Sequence, residues 1–247
     1  MATSTRLPPL APNASLRWDV VRRQVAVIHP RTVLEVGCGQ GAVGARLARV
    51  AEYVGVEPDL ASYRAARDRL ATVGGEVRHG TSSAVPPGAR YDLVCAFEVL
   101  EHIEDDKGAL SEWVRLVRPG GHLMVSVPAW QQRFSEWDEL VGHVRRYSPE
   151  ELTDRLGDAG LIETTVTLYG WPLGHLLEAG RNRIAARRMS AVSEASFEER
   201  TASSGRLLQP KALAGLAVRA GIAPFGLLQR LRPDSGTGIV AVGRRPV

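Results

Sequence analysis

A chain of 247 residues, 44% hydrophobic and 23% charged, is long enough for one sizeable core, or one domain with a cap, and its charge content is ordinary for a globular protein. A net charge of +4 and a pI of about 9.4 suit an anionic substrate but are too mild to argue for nucleic acid, and no dense Lys/Arg run, zinc-finger or RNA-recognition signature occurs. The two cysteines, Cys38 and Cys95, have no metal-ligand spacing and make no disulfide framework, so no metal is expected and a reduced, cytoplasmic setting is the simpler expectation. No apolar run approaches the roughly 18 residues of a membrane span.

Residues 1–14, with Pro8, Pro9 and Pro12 and no apolar signal core, read as a flexible tail. Apolar runs then alternate with helical patterns, the mark of a parallel α/β sheet. The spacing predicts a helix over 16–28, a buried strand over 32–36 and, after Gly37-Cys38-Gly39-Gln40-Gly41, a helix over 42–50. Strands are expected over 53–56, 76–79 and 91–97, with Pro58 opening the helix after the first of them. A helix over 107–117 stops at Pro119-Gly120-Gly121, a strand follows over 122–127, and Ser148-Pro149-Glu150-Glu151 caps a helix to residue 158. Strands over 161–168 and 237–242 complete the pattern. Residues 172–232 read as helices broken by Gly and Pro; ten Lys/Arg against four Asp/Glu there carry the basic surplus. That segment is too long for a plain loop, so the expected organisation is a core over 15–171 and 233–247 with a helical cap over 172–232. Within it, 207–231 is apolar and basic, suited to packing on the core, to covering an apolar substrate, or to peripheral membrane contact.

The strand running into Gly37–Gly41 gives a tight turn whose backbone a ligand can touch. Gly37, Gly39 and Ala42 also satisfy the dinucleotide pattern G-x-G-x-x-A. Glu35, two residues before the first glycine, is a costly lone carboxylate on a buried strand unless it finds a partner such as a ligand ammonium. Glu57, at the end of the second strand, is placed to accept hydrogen bonds from ribose hydroxyls.

These residues resemble class I S-adenosylmethionine (SAM)-dependent methyltransferases, of the type 11/12/23-like subgroup. Glu35 to Gly41 looks like their first motif and Val54-Gly55-Val56-Glu57-Pro58 like the second. The stretch from Tyr91 to His102 resembles the strand and turn beneath the transfer site, and Leu116 to Leu123 the Pro-Gly-Gly turn before the fifth strand. The resemblance implies a Rossmann-like seven-stranded, mostly parallel sheet with an antiparallel last strand, a helical insert before it, and SAM as cofactor. It implies cofactor contacts from Glu35, Gly37, Cys38, Gly39, Gln40, Gly41, Glu57, Pro58 and Phe97. Where many members carry an Asp for the adenine amino group, this chain has Gly80-Thr81-Ser82-Ser83, so Thr81 and Ser82 are the candidates there.

Methyl transfer from a sulfonium needs an aligned nucleophile shielded from water, and a base when the nucleophile is a hydroxyl. His102, just past the fourth strand, and His143 are the candidate bases, although a histidine at 102 can equally shape its turn. Trp130, Arg145, Arg146 and Tyr147, in a segment rich in aromatic, His and Arg side chains, are candidates to hold an anionic or aromatic small-molecule substrate. The alternatives are a lipid-modifying enzyme, because Glu101-His102 resembles the Glu-His pair of mycolic-acid cyclopropane synthases, an NAD-dependent oxidoreductase or epimerase, for which no Tyr-x-x-x-Lys couple is present, and a non-catalytic SAM-binding protein.

Overall fold

A computed structural model describes residues 7–189 and 214–247. Seven strands form one sheet in the order β3-β2-β1-β4-β5-β7-β6. They are β1 Thr32–Val36, β2 Glu52–Glu57, β3 Glu76–His79, β4 Tyr91–Phe97, β5 Val117–Pro128, β6 Ile162–Gly170 and β7 Gly236–Arg244. The first five run parallel; β7 lies antiparallel between β5 and β6, as the family resemblance implied.

Both faces of the sheet are covered, which is why β1 and β4 read as continuous apolar runs rather than alternating ones. Successive side chains point to opposite faces, so Leu34, Val36, Val94 and Ala96 join one core, and Val33, Leu93, Cys95 and Phe97 the other. Helices α4 (Asp106–Leu116) and α6 (Pro149–Asp158) cover the first face. Helices α1 (Pro12–Ile28), α2 (Gly44–Leu47) and α3 (Leu60–Ala71) cover the second. The remaining helices are α5 (Glu136–Val141), α7 (Leu173–Met189) and α8 (Ala214–Leu228). Among the described residues, no helix is long and apolar enough to cross a membrane.

Several boundaries differ from those read in the sequence, each for a local reason. Of the expected tail over 1–14, residues 1–6 lie outside the described residues; beyond them Leu10 is buried and α1 opens at Pro12, a residue suited to a first helical turn. The helix expected over 42–50 contracts to Gly44–Leu47. Pro58 stands outside α3, whose cap is Asp59, its carboxylate accepting the Ser62 N–H at 2.9 Å. Pro119-Gly120-Gly121 does not interrupt structure; β5 begins at Val117 and runs through it. Residues 190–213 of the expected cap lie outside the described residues.

Chain order reverses between β1 and β4: from β1 the sheet grows one way to β2 and β3, then the other way to β4 and β5. At such a switch point the loops leaving the two strands diverge and open a crevice at the carboxyl edge. Here a Cβ on Gly37, after β1, would lie 2.6 Å from a methyl of Val99, after β4, so the two loops meet at the floor of that crevice.

Candidate active site

A cleft of about 1320 Å³ occupies the switch point, bounded by the β1 loop, the ends of β2 and β4, the start of α1, and one side of α5 and α7. That volume exceeds what a drug-sized ligand needs, leaving room for two molecules side by side.

Its first half is built on the glycine loop. The Glu35 carboxylate is buried, and the Tyr53 hydroxyl donates to its Oε2 at 2.6 Å. Glu35 pairs with Gly55 across the β1–β2 ladder, and a Cβ at Gly55 would stand 2.8 Å from that hydroxyl, so the glycine clears the path between the two side chains. Burial pushes the Glu35 pKa up to about 7, and the Tyr53 hydrogen bond and the Arg17 charge only partly offset it. A cation delivered to this carboxylate would complete it. Raised above its unfolded value, Glu35 contributes stability that is present below pH 4.5 and lost as pH rises through about 7. The binding of an ammonium-bearing ligand has the opposite sign, because it needs the ionised form. Affinity for S-adenosylhomocysteine should therefore rise about tenfold from pH 6 to pH 8 in calorimetric titrations, and the slope should vanish in Glu35→Gln.

Glu57 is held at both oxygens: Gly39 N–H donates to Oε2 at 2.8 Å and Asp59 N–H to Oε1 at 2.9 Å. These bonds fix the carboxylate and leave lone pairs toward the cleft. Gly39 has φ +54° and a Cβ there would meet nothing within 4 Å, so its missing side chain is open space on the ligand side. Cys38, Gln40, Pro58, Thr81, Ser82 and Phe97 also line this half. Burial holds the Cys38 thiol protonated, so it is wall and not nucleophile. The Thr81 and Ser83 hydroxyls are hydrogen-bonded to each other at 2.9 Å. Gly41 does not line the cleft; it faces Ala66 and Leu70 of α3, where it permits close packing.

The second half lies beyond β4. Glu98 follows that strand at φ +58°, an unusual conformation for a side-chain-bearing residue. It is held by Ser126 at 3.0 Å, Tyr169 at 3.2 Å and Arg17 at 3.2 Å. The turn Leu100–His102 then meets the segment after α5 through a bond from Val144 N–H to the Glu101 carbonyl at 2.9 Å. Gly142 ends α5 in the left-handed conformation and sends the two histidines to opposite partners. His102 Nδ1 lies 2.9 Å from the Gly142 carbonyl, to which it donates, and His143 Nδ1 donates to Asp138 Oδ1 at 2.7 Å. Each Nε2 is thereby left as an acceptor. The rings stand edge to face, 4.8 Å apart, and both line the cleft. Burial and the neighbouring His143 push His102 down to about 4, keeping it neutral. Glu101 is fully buried and neither carboxylate oxygen has a hydrogen-bond partner; burial and nearby Glu98 raise its pKa.

The predicted substrate residues sit elsewhere. Tyr147 bridges to Ala129 at the end of β5, which turns this segment inward. Tyr147 is fully buried and donates to Asp106 at 3.0 Å. Arg146, also buried, grips Asp138 at 2.9 and 2.7 Å and bonds to Glu178 of α7. Arg145 pairs with Asp106 at 3.0 Å and donates to the Glu104 carbonyl. Trp130 donates to the Gly236 carbonyl at 3.1 Å. None of the four lines the cleft. Instead the second half is walled by Arg17 and Asn13 of α1, Trp137 and Val141 of α5, and Arg181 of α7. The Arg181 guanidinium lies 5.5 Å from the Trp137 ring centre, and its Nε is buried without a hydrogen-bond partner. Trp137 lay within the aromatic-rich loop already singled out; nothing local in the sequence marked Asn13, Arg17 or Arg181.

Comparisons with known proteins place this geometry. The family model described as a methyltransferase domain matches residues 14–164. A probable SAM-dependent methyltransferase of Mycolicibacterium smegmatis is 35% identical over 191 residues, 74% of each chain. A ubiquinone biosynthesis O-methyltransferase of Alkalilimnicola ehrlichii is 33% identical over 123 residues, 48% of this chain and 50% of that one. Among solved structures, a Haemonchus contortus phosphoethanolamine N-methyltransferase in complex with S-adenosylhomocysteine superposes with a TM-score of 0.56 at 17% identity, over 88% of this chain and 49% of that one, which shows the fold. The chain belongs to the SAM-dependent methyltransferases. It is an enzyme of the methyltransferase class with S-adenosylmethionine as its cofactor, and the NAD-dependent reading falls away.

Proposed function

We propose that the cleft binds SAM in its glycine-loop half and presents its other half to a small acceptor carrying a hydroxyl and an anionic group, which makes the protein an O-methyltransferase. The residues present fit the cofactor. Glu35 offers a buried carboxylate to an ammonium, the Gly37–Gly39 backbone offers close approach, and Glu57 offers fixed lone pairs to a ribose. Bound there, SAM supplies an electrophilic methyl group on a sulfonium. Phe97, Val99, Trp137 and Val141 wall the cleft and keep water from that region.

The observation that carries the acceptor assignment is His143. Its Nδ1–H is fixed on Asp138, so Nε2 is free to take a proton from an acceptor hydroxyl, and Asp138 stabilises the imidazolium that results. Arg181 stacked on Trp137 suits a carboxylate attached to a flat ring. The relative named for O-methyl transfer in ubiquinone biosynthesis supports the same acceptor atom. Helix α7, which brings Arg181, acts as the cap over this half. A cytoplasmic location agrees with two free, buried cysteines, and no nucleic-acid partner is proposed.

Hydroxy- and amino-substituted aromatic carboxylates, assayed in matched pairs for methyl transfer, test the proposal. Hydroxy acceptors alone should turn over, and His143→Gln should lower kcat by about 10²–10⁴-fold with SAM binding retained. Turnover of the amines alone, or a variant as active as the wild type, would overturn it.

A further inference from the structure

Glu101, His102 and His143 each bring one ligand atom to within 4.8 Å of the others, the two histidines lining the cleft and Glu101 buried beside them. We propose that they form a binding site for a divalent transition-metal cation of the Zn²⁺ type. The donor set, two imidazole nitrogens and one carboxylate, is one that such cations favour and that leaves a coordination position open to a substrate oxygen.

Two independent observations point to a ligand. Glu101 is fully buried, yet both carboxylate oxygens lack any hydrogen-bond partner, a costly arrangement unless something cationic completes it. Its nearest positively chargeable neighbour is His143 Nε2, 3.8 Å from Oε1, too far for a hydrogen bond. The second observation is how the imidazoles are held. His102 donates through Nδ1 to the Gly142 carbonyl and His143 through Nδ1 to Asp138, so each Nε2 is left to accept, and both residues line the cleft. Metal-binding histidines are oriented by outer partners of these two kinds, a backbone carbonyl and a carboxylate. The 3.8 Å gap is wider than the roughly 3.4 Å between ligand atoms of a tetrahedral ion with bonds of about 2.1 Å, so binding would draw this pair together by about 0.4 Å and the widest-set atoms by up to about 1.4 Å.

The purpose of the site rests on the hydroxyl-transfer reading, although its existence does not. An acceptor hydroxyl at the open position would lose its proton to solvent more readily, because a bound cation lowers the pKa of the oxygen it polarises. With the ion bound, His143 holds it and acts on the hydroxyl through it; in metal-free protein the same Nε2 is the base, so the hydroxyl acceptor stands in both states. Of the alternatives, two histidines that only shape the turn would leave Glu101 unexplained.

The test is equilibrium dialysis of the full chain, stripped with chelator, against Zn²⁺, with cofactor binding measured alongside to show that each protein is folded. One ion per chain is expected, with affinity lowered about 100-fold or more in Glu101→Gln and in His143→Gln, and unchanged in His29→Gln on the surface. Independently of any variant, paramagnetic Co²⁺ should shift the ring protons of two of the six histidines in the wild-type protein. No uptake, uptake undiminished in folded Glu101→Gln and His143→Gln, or no shifted pair would overturn the site. Hydroxyl transfer that persists in metal-free protein would remove the site's purpose and leave the acceptor assignment standing. Metal uptake with amine-only turnover would do the reverse.

Discussion

Replacing Glu57 by alanine should weaken S-adenosylhomocysteine binding about 100-fold or more, with the circular dichroism spectrum unchanged. The carboxylate at the end of β2 is held by Gly39 and Asp59 N–H groups, so it arrives at the ligand already oriented and little entropy is lost on binding. Two hydrogen bonds from ribose hydroxyls to a charged acceptor are each worth about 1.5–3 kcal/mol, and even the lower figure for both together corresponds to about a hundredfold in affinity. The vacated N–H groups border the cleft, where water can take them up, so stability should change much less than affinity. Calorimetric titration of wild type, Glu57→Gln and Glu57→Ala checks this. Wild-type affinity in Glu57→Ala would remove the ribose contact from this half of the cleft.

The largest loss of stability should come from Arg146→Met. Arg146 joins Asp138 to Glu178 and so ties the His143 segment to α7. Burial opposes ionisation of both carboxyls, but at Asp138 the His143 and Arg146 hydrogen bonds outweigh it, and at Glu178 those of Arg133 and Arg146 do. Removing the guanidinium leaves two buried carboxylates short of charge, for which about 3–5 kcal/mol is the expected cost. In a chain of this size that lowers Tm by roughly 6–20 °C. Both carboxyl pKa values are depressed, so the stabilisation is present above the unfolded pKa values and is lost as pH falls through the folded ones. The gap between wild type and variant should therefore narrow below about pH 4. Arg145→Met, at a partly exposed pair with Asp106, should cost about 1 kcal/mol or less. Urea titration of the three proteins is the check. Unchanged stability in Arg146→Met would show that the tie between Asp138 and Glu178 does not stabilise the fold.

Arg146 also marks where the sequence stops being legible. The places of the glycine loop, Glu35 and Glu57 at the strand ends were readable because they depend on neighbours a few residues away and on strands that apolar runs announce. Strands 32–36, 76–79 and 91–97 matched to the residue for the same reason. The partners of Arg146 lie 8 and 32 residues away, and that of Tyr147 lies 41 away, and no local pattern reports such distances. Four residues with the chemistry of substrate contacts thus lie off the cleft, Arg146 and Tyr147 buried in the fold, whereas Arg17 and Arg181, which line it, looked like ordinary helix-surface arginines. Glu101 is a similar case. In the sequence it stands beside His102; only the loop after α5, joined to it through Val144, brings the second histidine, His143.

Crystals of the protein grown with S-adenosylhomocysteine provide the most direct test of the two-part cleft. The expected complex has both ribose hydroxyls within hydrogen-bond distance of Glu57, the amino group against Glu35, and the sulfur facing the edge formed by His102 and His143. A ribose held away from Glu57, or a sulfur pointing away from the two histidines, would contradict the division of the cleft into a cofactor half and an acceptor half.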